Sequence, residues 1–270
     1  VNRHPRRHVS VEVRPGRDVG EVDLDFLVRR ERPWLVFAQI DNTGTKTTSE
    51  LRERFGFRHF NLTGMDDIFS LDYVTGDFDD VHYVSGSYEF PVPTERKLRI
   101  KVFGSGSEYT ASEVGLLEAD FEGDSYEGGV EVSYETYQSG DFFLDLFGGA
   151  RYRHVQTDNK LTDVSGEADF IVPRFGVRAD YVKRYSGFKG EVFLDVGLTD
   201  DEEEELTELG RADVDDGRWN VFRYSMTAWT YLETLGRQFD RPVALGTPMH
   251  EVFLRLDGQQ TLSTHTRVPP

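Results

Sequence analysis

The chain contains no cysteine, which excludes a disulfide framework and a thiolate metal site. Long apolar runs are missing too: nothing approaches the roughly 18 to 20 residues of a membrane helix. That rules out helical spanning and leaves spanning by strands open, because a closed barrel satisfies its backbone groups without an apolar run. Hydrophobic residues make up only 37% of the chain while aromatics reach 13%, a balance unsuited to a globular enzyme with a large dry core. Bases are in deficit, 31 Lys and Arg against 49 Asp and Glu. The net charge of -18 argues against a nucleic-acid partner, since phosphate binding needs a basic surface. A charged-then-apolar leader is lacking, and Pro269 and Pro270 directly follow a strand-like run. The expectation is a fragment without its signal peptide and flanks.

What is present is alternation. Leu51, Phe55 and Phe57 fall on one face, and Arg52, Arg54, Gly56 and Arg58 on the other. A strand sends successive side chains to opposite faces, so this is sheet with a greasy side and a charged side. A short hairpin comes first, over 9–13 and 22–28, turned at Pro15-Gly16. Longer segments follow over 35–41, 49–60, 68–75, 81–90, 98–103, 126–135, 144–153, 174–181, 188–196, 222–232 and 251–257. These are about eleven spanning strands, each expected near the 9 to 11 residues of a barrel strand. Aromatic-rich greasy faces opposite heavily charged ones predict an all-β, antiparallel transmembrane barrel, with lipid outside and a polar lumen inside. Residues 1–32 read as a periplasmic-type module, and 33–270 as the N-terminal part of the barrel. Bacterial barrels close with an even number of strands, so an odd count predicts truncation and two unpaired edges. The connections are expected to alternate, tight at 91–93 and longer and polar at 42–44 and 77–80. Residues 200–209 supply the one helical candidate. No repeat of fixed period suggests a propeller or solenoid.

The parity assigns sides. Arg52, Arg54, Arg58, Glu89, Arg99, Lys101, Glu131, Glu135, Arg151, Arg153, Arg174, Arg178 and Asp180 are expected to line the lumen. Phe55, Phe57, Tyr88, Tyr134, Leu194 and Tyr224 are expected to face lipid. The charges read two ways: paired across strands as the filling of a narrow lumen, or as the wall of a hydrated path for unfolded polypeptide. By the same parity, Leu194→Arg should impair assembly and Asp195→Arg should be tolerated.

Nothing points to an enzyme, a cofactor or a metal. Asp41-Asn42-Thr43-Gly44 has Asn where the aspartic-protease loop needs Asp, and no second such loop exists. Gly104-Ser105-Gly106-Ser107 lacks the third glycine of a phosphate cradle and reads as a loop. The seven His residues show no metal spacing, and no nucleophile is paired with a base. Asp200 to Glu205 reads as a solvated charge run, and Asn61-Leu62-Thr63 as a turn.

The order of these features resembles the two-partner secretion outer-membrane translocators, the haemolysin and filamentous-haemagglutinin secretion family. They belong to the superfamily that includes the barrel-assembly insertase. Asn2 to Pro5, Arg14-Pro15-Gly16, Gly20 and Val22-Asp23-Leu24 resemble the closing strands of that family's second POTRA domain. Asp41-Asn42-Thr43-Gly44-Thr45 with Thr48 resembles its first barrel hairpin. Asn61-Leu62-Thr63-Gly64-Met65-Asp66 resembles its Asn-Leu-Phe-Gly-x-Gly-Asp turn, and Tyr88 to Val92 its Tyr-x-x-Pro-Leu. The resemblance implies a barrel of about sixteen strands, with a Val-Arg-Gly-Tyr loop after the eleventh. It also implies export of a large, β-rich passenger across the bacterial outer membrane, with the unfolded passenger and outer-membrane lipid as partners. The rival expectations are an assembly factor that inserts other barrels, a passive porin, and a soluble all-β binding module.

Overall fold

The structure, a computed structural model, describes residues 7–18, 20–114, 119–160, 164–183, 185–198, 219–232 and 250–262. Its strands are β1 (Arg7–Pro15), β2 (Val22–Arg30), β3 (Trp34–Asp41), β4 (Arg52–Phe60), β5 (Ile68–Gly76), β6 (Val81–Val92) and β7 (Glu95–Val114). They continue with β8 (Ala119–Ser139), β9 (Phe142–Asn159), β10 (Val164–Val182), β11 (Ser186–Gly197), β12 (Trp219–Tyr231) and β13 (Glu251–Thr261). Strands β1 and β2 form a two-stranded sheet, on which Val11 lies opposite Phe26 and Val13 opposite Leu24. Val11, Val13, Leu24 and Phe26 are exposed, while Val9 on the same face is buried.

Strands β3 to β13 form one eleven-stranded antiparallel sheet in chain order. Each strand pairs with its sequence neighbours, so the sheet is an up-and-down meander with β3 and β13 at its edges. The pairing follows the alternation. Val130 lies opposite Val102 and Ala150, and Val177 opposite Leu146 and Val192. One residue along, Lys101 lies opposite Glu89 and Glu131. A slip of one residue would exchange apolar and charged neighbours on every strand, so the register is strongly specified.

Strand length departs from expectation. β7, β8, β9 and β10 run 20, 21, 18 and 19 residues, about twice a spanning strand. The added length turns polar on the face that is apolar further along, as at Glu122 and Asp124 on β8 and at Gln156 and Asp158 on β9, while on β10 the other face becomes apolar and buried at Ala168, Phe170 and Val172. The earlier apolar parity ends there while backbone pairing continues. Gly104 to Ser107 is likewise no loop: it lies inside β7, with Gly104 opposite Gly86 and Gly128. Ladder hydrogen bonds on both sides hold this stretch extended despite its low strand propensity.

The connections also differ from expectation. Turns of two residues join β6 to β7 and β8 to β9, but the link from β12 to β13 on that same side spans residues 232–250. The helical candidate at 200–209 lies outside the described residues.

Candidate functional site

The faces of the large sheet differ in curvature as well as chemistry. Arg178 on β10 reaches Glu131 on β8 at 3.3 Å, across the intervening β9. Arg151 on β9 reaches Asp195 on β11 at 3.4 Å, across β10. Strands two apart lie about 9 to 10 Å from each other, a gap that facing arginine and carboxylate side chains bridge from one side of the sheet. Burial marks the charged face as the concave one: Asp72, Asp145, Phe147, Phe193 and Asp195 are all buried and all on it, whereas Leu71, Val102, Val130 and Phe175 on the other face are exposed.

Register places Arg52, Arg54, Arg58, Glu89, Arg99, Lys101, Glu131, Glu135, Arg151, Arg153, Arg174, Arg178 and Asp180 together on the concave face. Phe55, Phe57, Tyr88, Tyr134, Leu194 and Tyr224 share the convex one. Most of the concave charges meet opposite charges across strands. Arg54 and Arg58 share Asp72, at 2.8 and 2.6 Å, and both guanidinium groups lie over the ring of Phe37. Gly56 allows that arrangement, since a Cβ there would come within 2.2 Å of the Phe37 ring. Arg99 pairs with Glu89, and Arg178 bridges Glu131 and Glu191. Arg153 lies opposite Glu127 and Asp180 opposite Lys189, whereas Glu135 lies opposite a like charge, Asp145. Arg52 is the exception in role. Its guanidinium donates to the carbonyls of Thr48, Ser49 and Leu51, so it clamps the 42–51 connection.

Three arginines gather on Asp195, which is fully buried. Arg174 donates to both carboxylate oxygens, at 2.7 and 3.2 Å, while Arg151 lies at 3.4 Å and Arg223 at 3.6 Å. Four adjacent strands, β9 to β12, thus converge on one carboxylate. The expectation that Asp195→Arg is tolerated is overturned by this geometry: a fourth guanidinium would replace the anion that three already share. Parity marked Asp195 as inward, but only register reveals its partners. Asp72, Glu127, Glu191 and Arg223 were also absent from the sequence-derived set, although the same alternation puts them on this face.

At the end of the sheet nearest β1 and β2 in sequence, the 61–67 turn is built around Asp67, which is fully buried. Its carboxylate accepts from the Thr63 amide, at 3.1 and 3.2 Å, and from the Thr63 hydroxyl at 3.0 Å. Burial pushes its pKa up, but these Thr63 hydrogen bonds outweigh it and hold the carboxyl below its ordinary value of 3.8. A depressed folded pKa contributes stability above the unfolded value, and that stability is lost as pH falls through the folded one. Asp67→Ala should loosen the turn at neutral pH by about 1 to 3 kcal/mol. The wild-type turn should loosen only below about pH 4. Limited proteolysis across pH reads both effects; a variant cleaved no faster than wild type at pH 7 would contradict them.

The convex face carries an apolar band bounded by aromatics. Tyr126 and Tyr152 sit 6.0 Å apart near one end, and Tyr137 and Phe142 6.3 Å apart near the other. Tyr137 faces this way because the register shifts between Glu135 and Tyr137. Phe142 to Tyr152 is ten residue steps on β9, about 33 Å along a strand. Tilted by about 40°, that spans about 25 Å, the height of the apolar band of an outer-membrane barrel.

Comparison with known proteins agrees with this architecture. The family model for the haemolysin secretion/activation protein ShlB/FhaC/HecB matches residues 20–166. Over 73 residues, 27% of this chain and 12% of the relative, the sequence is 36% identical to the outer membrane transporter CdiB-2 of Burkholderia pseudomallei (strain 1026b). Solved structures of CdiB share the fold. That from Escherichia coli matches 83% of this chain and 42% of its own length, at 16% identity and a TM-score of 0.64. That from Acinetobacter baumannii matches 95% and 45%, at 15% identity and a TM-score of 0.64. The chain thus spans less than half the length of each of these relatives. Because the family model covers more than half of its residues, the chain belongs to the ShlB/FhaC/HecB family of haemolysin secretion/activation proteins.

Proposed function

We propose that this chain is part of a bacterial outer-membrane translocator that exports a large β-rich passenger in two-partner secretion. One observation carries the reading: charges and apolar side chains are sorted, strand after strand, onto opposite faces of one curled sheet. In a membrane the convex band, including Phe55, Phe57, Tyr88, Tyr134, Leu194 and Tyr224, meets lipid. The concave wall then lines a hydrated lumen. Membership of a family of protein transporters supports transport over catalysis. Residues 1–32 are the end of a periplasmic POTRA domain, and 33–270 the first strands of the barrel.

The chemistry suits an extended polypeptide. Paired charges offer hydrogen bonds of both polarities to passing backbone, while leaving few sites strong enough to arrest it. Folding of the passenger outside supplies the outward bias. Deleting the parent gene should abolish surface display of the passenger and leave it degraded or held in the periplasm. Restoring the gene should recover display. Undiminished display in the deletion strain would overturn the assignment, and a general loss of other barrels would point to an assembly factor instead.

A further inference from the structure

We propose that the basic cluster of Arg151, Arg174 and Arg223 is a binding site for a carboxylate borne by an acidic polypeptide segment in the lumen. In this cluster donors outnumber acceptors. Arg174 takes both oxygens of Asp195 in a forked pair, at 2.7 and 3.2 Å. The other two guanidinium groups are left with weak contacts. Arg151 keeps Asp195 at 3.4 Å and Glu127 at 3.8 Å, and Arg223 keeps Asp195 at 3.6 Å. The Nε atoms of Arg151 and Arg223 are buried and make no hydrogen bond, their carboxylate neighbours lying beyond hydrogen-bond distance. Buried guanidinium donors without a hydrogen-bond acceptor are rare and costly, so among the described residues the site is short of one anion.

Its surroundings favour a carboxylate over water. Two residues further along β10 and β12, the same face carries Val172 and Val221, then Phe170 and Trp219, at most 3% exposed. This apolar layer closes one side of the cluster and lowers the local dielectric, which strengthens ion pairing. On the other side along β10, Arg178 is already satisfied by Glu131 and Glu191. The charge surplus is therefore local to the Asp195 level. Guanidinium forks suit planar bidentate acceptors, which selects carboxylates among anionic side chains. The inference rests on the lumen reading for access, and its test is binding rather than export, so either can fail alone.

The experiment titrates fluorescein-labelled hexaglutamate into the full-length parent protein in detergent and follows anisotropy. Saturable binding is expected, weakened at least tenfold in Arg223→Gln, with no binding of hexalysine. Arg255→Gln alters a base on the same face of β13 outside the cluster, and should leave binding unchanged. Gln259 lies directly opposite Arg223 on β13. Gln259→Glu supplies an internal acceptor without removing any arginine, so it should fold normally and also weaken binding at least tenfold. No saturable binding to the native protein, undiminished binding in Gln259→Glu, or an equal loss in Arg255→Gln would overturn the proposal.

Discussion

Asp195→Arg should prevent the barrel from assembling, and Asp195→Asn should destabilise it by about 3 to 5 kcal/mol, the range for breaking a buried ion pair. Asp195 is fully buried and has Arg151, Arg174 and Arg223 as its ionic partners. Asparagine keeps the shape and one acceptor but leaves three guanidinium groups to repel one another. Arginine adds a fourth cation and its volume. The measurement is the urea midpoint of the full-length parent protein, together with the heat-modifiable folded species on a gel. A midpoint for Asp195→Asn equal to wild type would show that the carboxylate holds nothing together.

Val102→Arg should also impair assembly, whereas Ser105→Arg on the same strand should not. Val102 is 48% exposed on the convex face, between Tyr88 and Val130. An arginine within the apolar band there costs about 2 to 4 kcal/mol. Ser105 lies on the concave face between Ser85 and Glu127. An arginine at that position gains a carboxylate neighbour. Levels of folded parent protein in outer-membrane fractions decide the matter; equal damage from both substitutions would sink the assignment of faces.

The sheet was legible in the sequence to the extent that alternation persisted. All eleven strands of the large sheet were countable from it, since each has apolar residues of one parity through its central stretch. Strand ends were not legible. Beyond Tyr152 on β9 the outward parity turns polar at His154, Gln156 and Asp158, because that part of the strand lies past the apolar band while backbone pairing continues. Gly104 to Ser107 misled for a related reason: glycine and serine favour turns in isolation, and the ladders of β6 and β8 override them. The members of the Asp195 cluster stand at 151, 174, 195 and 223, on four different strands. Parity places each of them inward, but their meeting depends on register and curl, which no local pattern encodes. Asp67 was hidden in the same way, inside a turn recognised by its glycine and asparagine.

The central claim is that the concave face is the path of the passenger. A photoreactive benzoylphenylalanine placed singly at Ser105 or at Val102 of the parent protein, with the passenger stalled in transit, tests it most directly. The account predicts crosslinks to the passenger from Ser105 and none from Val102. Crosslinks from Val102 without any from Ser105, or equal crosslinks from both, would contradict it.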